Sequence, residues 1–234
     1  MKKLVTTFCT VAALALVANA SFAGAVRISQ AYAGGGGGSS SYLYDYVELF
    51  NSSAVPVDIS GWTIEYGSAT GNWGSSSGNI YTFPAGTLIQ PCKYLLIQTG
   101  GVSTSPSAQP FPVPADLVTA GLGMGNTNGK LALFNAVNSN LACGAELPGT
   151  LEDKLAWGTG NCPEGTAIAP FADQVSVAVR NNGGMDDANN NVADFVTFPT
   201  GSVAPNNSAS PANVYCLATP SMKGTWGALK SIYR

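Results

Sequence analysis

Residues 44–51 read Tyr44-Asp45-Tyr46-Val47-Glu48-Leu49-Phe50-Asn51, and residues 62–66 read Trp62-Thr63-Ile64-Glu65-Tyr66. Both stretches alternate at a period of two, the spacing that sends successive side chains to opposite faces of a β-strand. In the first, Tyr46, Glu48 and Phe50 share one face, and Asp45, Val47 and Leu49 the other. Asp45 and Glu48 therefore face apart, which argues against a paired-carboxylate catalyst at this strand. Ser60-Gly61-Trp62 reads as a turn that delivers an indole into the core.

Outward from these two stretches the pattern recurs at 26–29, 55–59, 80–83, 94–98, 130–134, 154–157 and 175–180. Each segment is bounded by Gly, Asn, Ser or Pro. No amphipathic helix longer than two turns precedes the C-terminal stretch. About nine short strands with turn signals between them describe an all-β sandwich or barrel. The glycines of 34–38 and the serines of 39–41 read as a flexible loop. Residues 101–128, rich in Pro, Ser and Gly, read as a long surface loop.

The N-terminus carries Lys2 and Lys3, an apolar run from Leu4 to Val17, and the small-residue patterns Ala18-Asn19-Ala20 and Ser21-Phe22-Ala23. This predicts a secretory signal peptide over residues 1–23, because the run falls short of the roughly 20 residues that span a bilayer. Cleavage after Ala23 leaves eight basic and thirteen acidic side chains, a net of −5, with no transmembrane segment. Such a chain repels phosphate backbones, so nucleic acid is disfavoured as a partner. A domain is expected over 24–211 and a C-terminal tail over 212–234. In the tail, Trp226, Leu229, Ile232 and Tyr233 regain apolar character.

Only 10% of the residues are charged and none is histidine. That removes Ser–His–Asp and Cys–His catalysis and histidine-ligated zinc. Gly74-Ser75-Ser76-Ser77-Gly78 matches G-x-S-x-G only formally, since the motif needs a strand–elbow–helix setting and a histidine. Gly125-Asn126-Thr127-Asn128-Gly129-Lys130 is one residue short of a P-loop and is followed by Leu131. Asp187, Asn189, Asn191 and Asp194 space four oxygen donors as a calcium loop would, although Val192 and Phe198 break the EF-hand pattern. The stretch reads either as a calcium site or as a run of Asx turns. A metal-dependent hydrolase built on Asp45, Glu48, Asp186, Asp187 and Asp194 is a third, weaker reading. Outside the leader, Cys92, Cys143, Cys162 and Cys216 form an even set, so two disulfides with three open pairings are expected.

Asp45 to Asn51, followed by Val57-Asp58-Ile59-Ser60-Gly61-Trp62-Thr63-Ile64, resembles the lamin tail domain as found in exported bacterial proteins. Pro91 with Tyr94 to Ile97, Gly129 to Asn135, Asp153, Trp157-Gly158, Cys162 to Gly165, Arg180 to Gly184 and Asp194-Phe195 extend the likeness over roughly 25–210. The resemblance implies an immunoglobulin-like β-sandwich with a Cys143–Cys162 disulfide, which leaves Cys92 with Cys216. The missing catalytic chemistry, with sandwich loops able to present Tyr, Asn and Ser, gives the expected function: a non-enzymatic exported module for binding or scaffolding at the cell surface or in the extracellular space. A protein or surface polysaccharide is the expected partner. Loops around Tyr42, Tyr44, Tyr66 and Trp73 are candidate contacts, with core packing as the alternative. An accessory role in trans with an extracellular nuclease or phosphoesterase is the competing expectation.

Overall fold

The computed structural model describes residues 24–137, 140–147, 150–171 and 173–216. The expected signal peptide, and the tail from residue 217 onward, lie outside the described residues. Among the described residues twelve strands form: β1 (Val26–Tyr32), β2 (Tyr46–Asn51), β3 (Val57–Asp58), β4 (Thr63–Gly67), β5 (Ile80–Thr82), β6 (Leu88–Ile89), β7 (Tyr94–Gln98), β8 (Leu117–Val118), β9 (Gly129–Phe134), β10 (Leu151–Trp157), β11 (Ser176–Arg180) and β12 (Phe195–Pro199). A six-stranded sheet runs β12-β11-β1-β2-β7-β8, a four-stranded sheet β10-β9-β4-β5, and β3 pairs β6. The β7–β8 pair is parallel and the other strand pairs are antiparallel.

The two larger sheets pack face to face as an immunoglobulin-like sandwich. The alternation along β2 decides which residues line it. Val47 and Leu49 enter the core with Ile28, Ile97, Ala178 and Phe195, against Ile64, Tyr66, Leu131, Leu133, Leu155 and Trp157 of the other sheet. Tyr46, on the opposite face of β2, joins a second cluster with Tyr32, Tyr42, Leu96 and Val177. Phe111 covers that cluster, with ring centroids 5.4 Å from Tyr42 and 5.3 Å from Tyr46. Segment 101–128 is thus more than a surface loop. Phe111, Val113 and Ala115 cap the outer aromatic cluster, and Leu122 and Met124 reach the main core. Apolar residues scattered among Pro, Ser and Gly carry no periodicity, so composition alone hid this cover.

Two other expectations change. Trp62 is only half-buried, and the deeply buried indoles are Trp73 and Trp157. Tyr42 and Tyr66 are buried as well, which takes these aromatics, with Trp73, out of the candidate contact loops and into the core. The 34–38 glycine run is pinned rather than loose. The Gly35 N–H donates to Asp45 Oδ1 at 2.6 Å, Gly37 N–H donates to Ser40 Oγ at 3.0 Å, and Ser39 N–H donates to Gln174 Oε1 at 2.9 Å. Glycine is required where this loop end meets Gly101 (φ +82), since a Cβ there would lie 2.5 Å from Asp45 Oδ2.

Packing also continues past residue 211. The Asn213 N–H donates to the Cys92 carbonyl at 2.9 Å, and its Nδ2 donates to the Asn182 and Gly183 carbonyls at 2.9 and 2.8 Å. Cys92 and Cys216 lie with their sulfurs 2.01 Å apart, and Cys143 and Cys162 with theirs 2.08 Å apart.

Candidate functional site

Arg180 ends β11 on the face that carries Ala178 inward, so its side chain enters the sandwich and is wholly buried. Its guanidinium donates through Nη2 to both Asp153 oxygens at 2.7 Å and through Nε to the Ile28 carbonyl at 2.9 Å. Nη1 lies 3.4 Å from Asp194 Oδ2 and 3.7 Å from Asp187 Oδ1. The second Asp187 oxygen pairs with Arg27 Nε at 3.1 Å, and Asp153 Oδ2 accepts the Ile28 N–H at 2.6 Å. One arginine of the six-stranded sheet thereby ties down a strand of the facing sheet and the whole 186–194 loop. The Phe195 ring sits 4.5 Å from its guanidinium carbon.

The residues expected as calcium ligands make contacts within the protein. Asn191 Oδ1 accepts the Ala156 and Glu164 N–H groups at 3.0 Å each, and its Nδ2 donates to the Lys154 carbonyl at 2.9 Å. It acts as a surrogate strand along the edge of β10. Asn189 has a left-handed backbone (φ 52), and its N–H donates to Asp187 Oδ1 at 3.2 Å, an Asx turn. Asp194 accepts the Ala188 and Asn190 N–H groups at 2.7 and 3.0 Å. The carboxylates that do converge are Glu164, Asp187 and Asp194, with oxygens within 4.8 Å of one another. Spacing could not reveal Glu164, which arrives from a different loop. Because Arg27, Arg180 and backbone N–H groups already hold Asp187 and Asp194, millimolar calcium is expected to leave Tm unchanged. A rise in Tm on calcium titration would instead assign the ion to these three carboxylates.

The five-carboxylate hydrolase reading is not assembled. Asp45 accepts the Gly35 and Met124 N–H groups at 2.6 and 2.9 Å, whereas Glu48 accepts from Ser29 Oγ at 2.6 Å and from the Asn206 N–H. Asp186 accepts from Asn182 Nδ2 at 2.9 Å, and only Asp187 and Asp194 share a cluster. Burial is the main force on four raised carboxyls: it pushes Asp45 and Glu48 up to about 7, Glu164, beside the Asp153 charge, up to about 9, and Asp153 itself upward. The folded state therefore binds protons that the unfolded chain has already released above its ordinary carboxyl range. Stability should fall as pH rises from about 5 towards 9. Glu164→Gln should flatten the part between pH 7 and 9, where each unit of pKa difference is about 1.4 kcal/mol. Melting curves across this range check it, and a stability that climbs with pH would reject it.

Over the outer face of the six-stranded sheet, segment 203–215 leaves a groove of about 330 Å³ beside β11 and β12. Its lining combines Val179, Val196, Phe198 and Tyr215 with the amides of Gln30, Asn181, Asn182 and Asn206. Nothing in the strand periodicity marked it, because part of its wall, Val203, Asn206 and Tyr215, comes from the irregular segment beyond residue 202.

A family model described as Lamin Tail Domain matches residues 19–160, more than half of the chain. The chain belongs to the lamin tail domain family. Among solved structures it is similar to a DUF4876 family protein from Bacteroides thetaiotaomicron, at 13% identity and a TM-score of 0.51. That likeness covers 81% of this chain and 74% of the other, and it speaks to the fold alone. No curated protein matches. The lamin tail match ends before Cys162, so β11, the Arg180 loop, β12 and the groove lining other than Gln30 lie beyond it. Arg27, Ile28 and Asp153 are the parts of the arginine cluster that fall within the matched lamin tail residues.

Proposed function

We propose that this lamin tail domain protein is an exported, non-catalytic module that binds a partner at the cell surface or in the extracellular space. The carrying observation is where its charges go. Arg27, Arg180, Asp45, Glu48, Asp153, Asp187 and Asp194 are all consumed in holding loops and strands together. The outer groove is left with aromatic, aliphatic and amide groups, which suit contact rather than bond-breaking. Cysteine pairs at disulfide distance fit an oxidising compartment. Among the described residues no helix is long and apolar enough to cross a membrane. With no cation drawn into the groove's surface, a nucleic acid is the less suitable partner.

Protein harvested from the culture fluid of a producing bacterial strain should begin at Gly24 and carry no free thiol. Added back to washed cells, it should sediment with them and saturate. Retention of the full-length chain in the cytosol, or sedimentation no greater than that of an unrelated protein, would overturn the proposal.

A further inference from the structure

The structure assigns the groove between β12 and segment 203–215 to a neutral carbohydrate chain, an inference that rests on the binding reading above. Its volume of about 330 Å³ lies at the small end of ligand sites, which run from about 300 to 1,000 Å³. Val196 and Phe198 stand two residues apart on β12, hence on one face, and each is 36% exposed despite lying in a sandwich strand. Tyr215 joins them in the lining from segment 203–215 and is 65% exposed. Aromatic faces held open to water on a rigid sheet offer flat, weakly hydrated area at low entropic cost. Sugar rings present matching flat C–H faces.

The polar lining completes the match. Asn181, Asn182 and Asn206 bring amides without charge, while the Gln30 amide is held inside, donating to the Ala204 carbonyl at 3.3 Å and accepting from the Tyr46 hydroxyl at 3.0 Å. Asn181 and Asn182 use their Nδ2 groups to hold the Ala193 carbonyl and the Asp186 carboxylate, at 2.9 Å in each case, which leaves their oxygens to accept from ligand hydroxyls. The charged residue in the lining, Arg180, is fully buried and held by Asp153 at 2.7 Å. It gives a ligand no net charge to meet. An anionic polymer would gain nothing here and would approach a chain of net charge −3. A neutral ligand with apolar ring faces and hydroxyl edges fits each of these features.

Affinity electrophoresis tests this with gels containing dextran, laminarin, mannan or hydroxyethylcellulose, and alginate as an anionic counterpart. At least one neutral polysaccharide should retard the full-length protein and alginate should not. Phe198→Ala and Tyr215→Ala, both at exposed positions, should weaken retardation at least tenfold with Tm unchanged. No retardation by any neutral polymer, retardation by alginate alone, or equal retardation of both variants would overturn the assignment. Protein that sediments with cells without retardation refutes the carbohydrate and leaves the binding module standing. Protein that does neither refutes both.

Discussion

Arg180→Met should leave a protein that is unfolded at ambient temperature or melts at least about 10 °C below the parent. The substitution keeps volume but strands Asp153 and Asp194, which are buried to 2% and 1% exposure. Removing one partner of a buried ion pair costs about 3–5 kcal/mol, and here two carboxylates lose the same cation. For a domain of this size each kcal/mol is about 2–4 °C in Tm. Arg180→Lys should fall between, since an ammonium keeps the charge but cannot make the forked bond to both Asp153 oxygens while reaching the Ile28 carbonyl. Adding Asp153→Asn to Arg180→Met should recover part of the loss, because the second change removes the stranded charge. Thermal melts of the four proteins decide it. Parent-like melting of Arg180→Met would show that the cluster does not hold the sheets together.

The second large effect concerns the chain's far end. Cys92 and Cys216 are separated by 124 residues, Cys143 and Cys162 by 19. In the chain-entropy account a cross-link closing about 100 residues contributes roughly 4.7 kcal/mol and one closing about 15 roughly 3. The double variant Cys92→Ser/Cys216→Ser should therefore lose more than Cys143→Ser/Cys162→Ser, and its Tm should drop by on the order of 10 °C. It should also become sensitive to protease in segment 203–216, which is tied down elsewhere by the Glu48–Asn206 and Asp116–Ser208 contacts, the latter at 2.9 Å. Calorimetry and limited proteolysis read both effects. A smaller loss than that of the Cys143–Cys162 double variant would contradict the clamp.

The longer central strands were legible in the sequence: β2, β4, β7 and β9 sit where the apolar, β-branched and aromatic runs put them. Of the short strands, β3 and β5 fall within the segments read at 55–59 and 80–83, and β6, β8 and β12 were not read. β6 and β8 have two residues each, too few for any period to show, and β12 is interrupted in reading by the asparagine run before it. At the candidate site, Asp187 and Asp194 were visible as oxygen donors. Their true company, Arg180, Asp153 and Glu164, is assembled from three separate parts of the chain. Asn191 was read as a ligand because its type suits one. Only the structure shows its amide completing the edge of β10, a role that composition cannot distinguish from coordination. Gly34–Gly38 was misread for a related reason: Ser40 and Asp45, near in sequence, order it together with Gln174, 135 residues from Ser39.

The central claim is that the buried charges are structural and that the outer groove makes contact. Hydrogen exchange of the purified protein, free and saturated with surface material extracted from the producing cells, addresses it directly. The account predicts added protection in segments 179–183, 195–206 and 213–216, with residues 34–45 unchanged. Protection confined to other segments, or none at all under conditions where binding is measured, would contradict it.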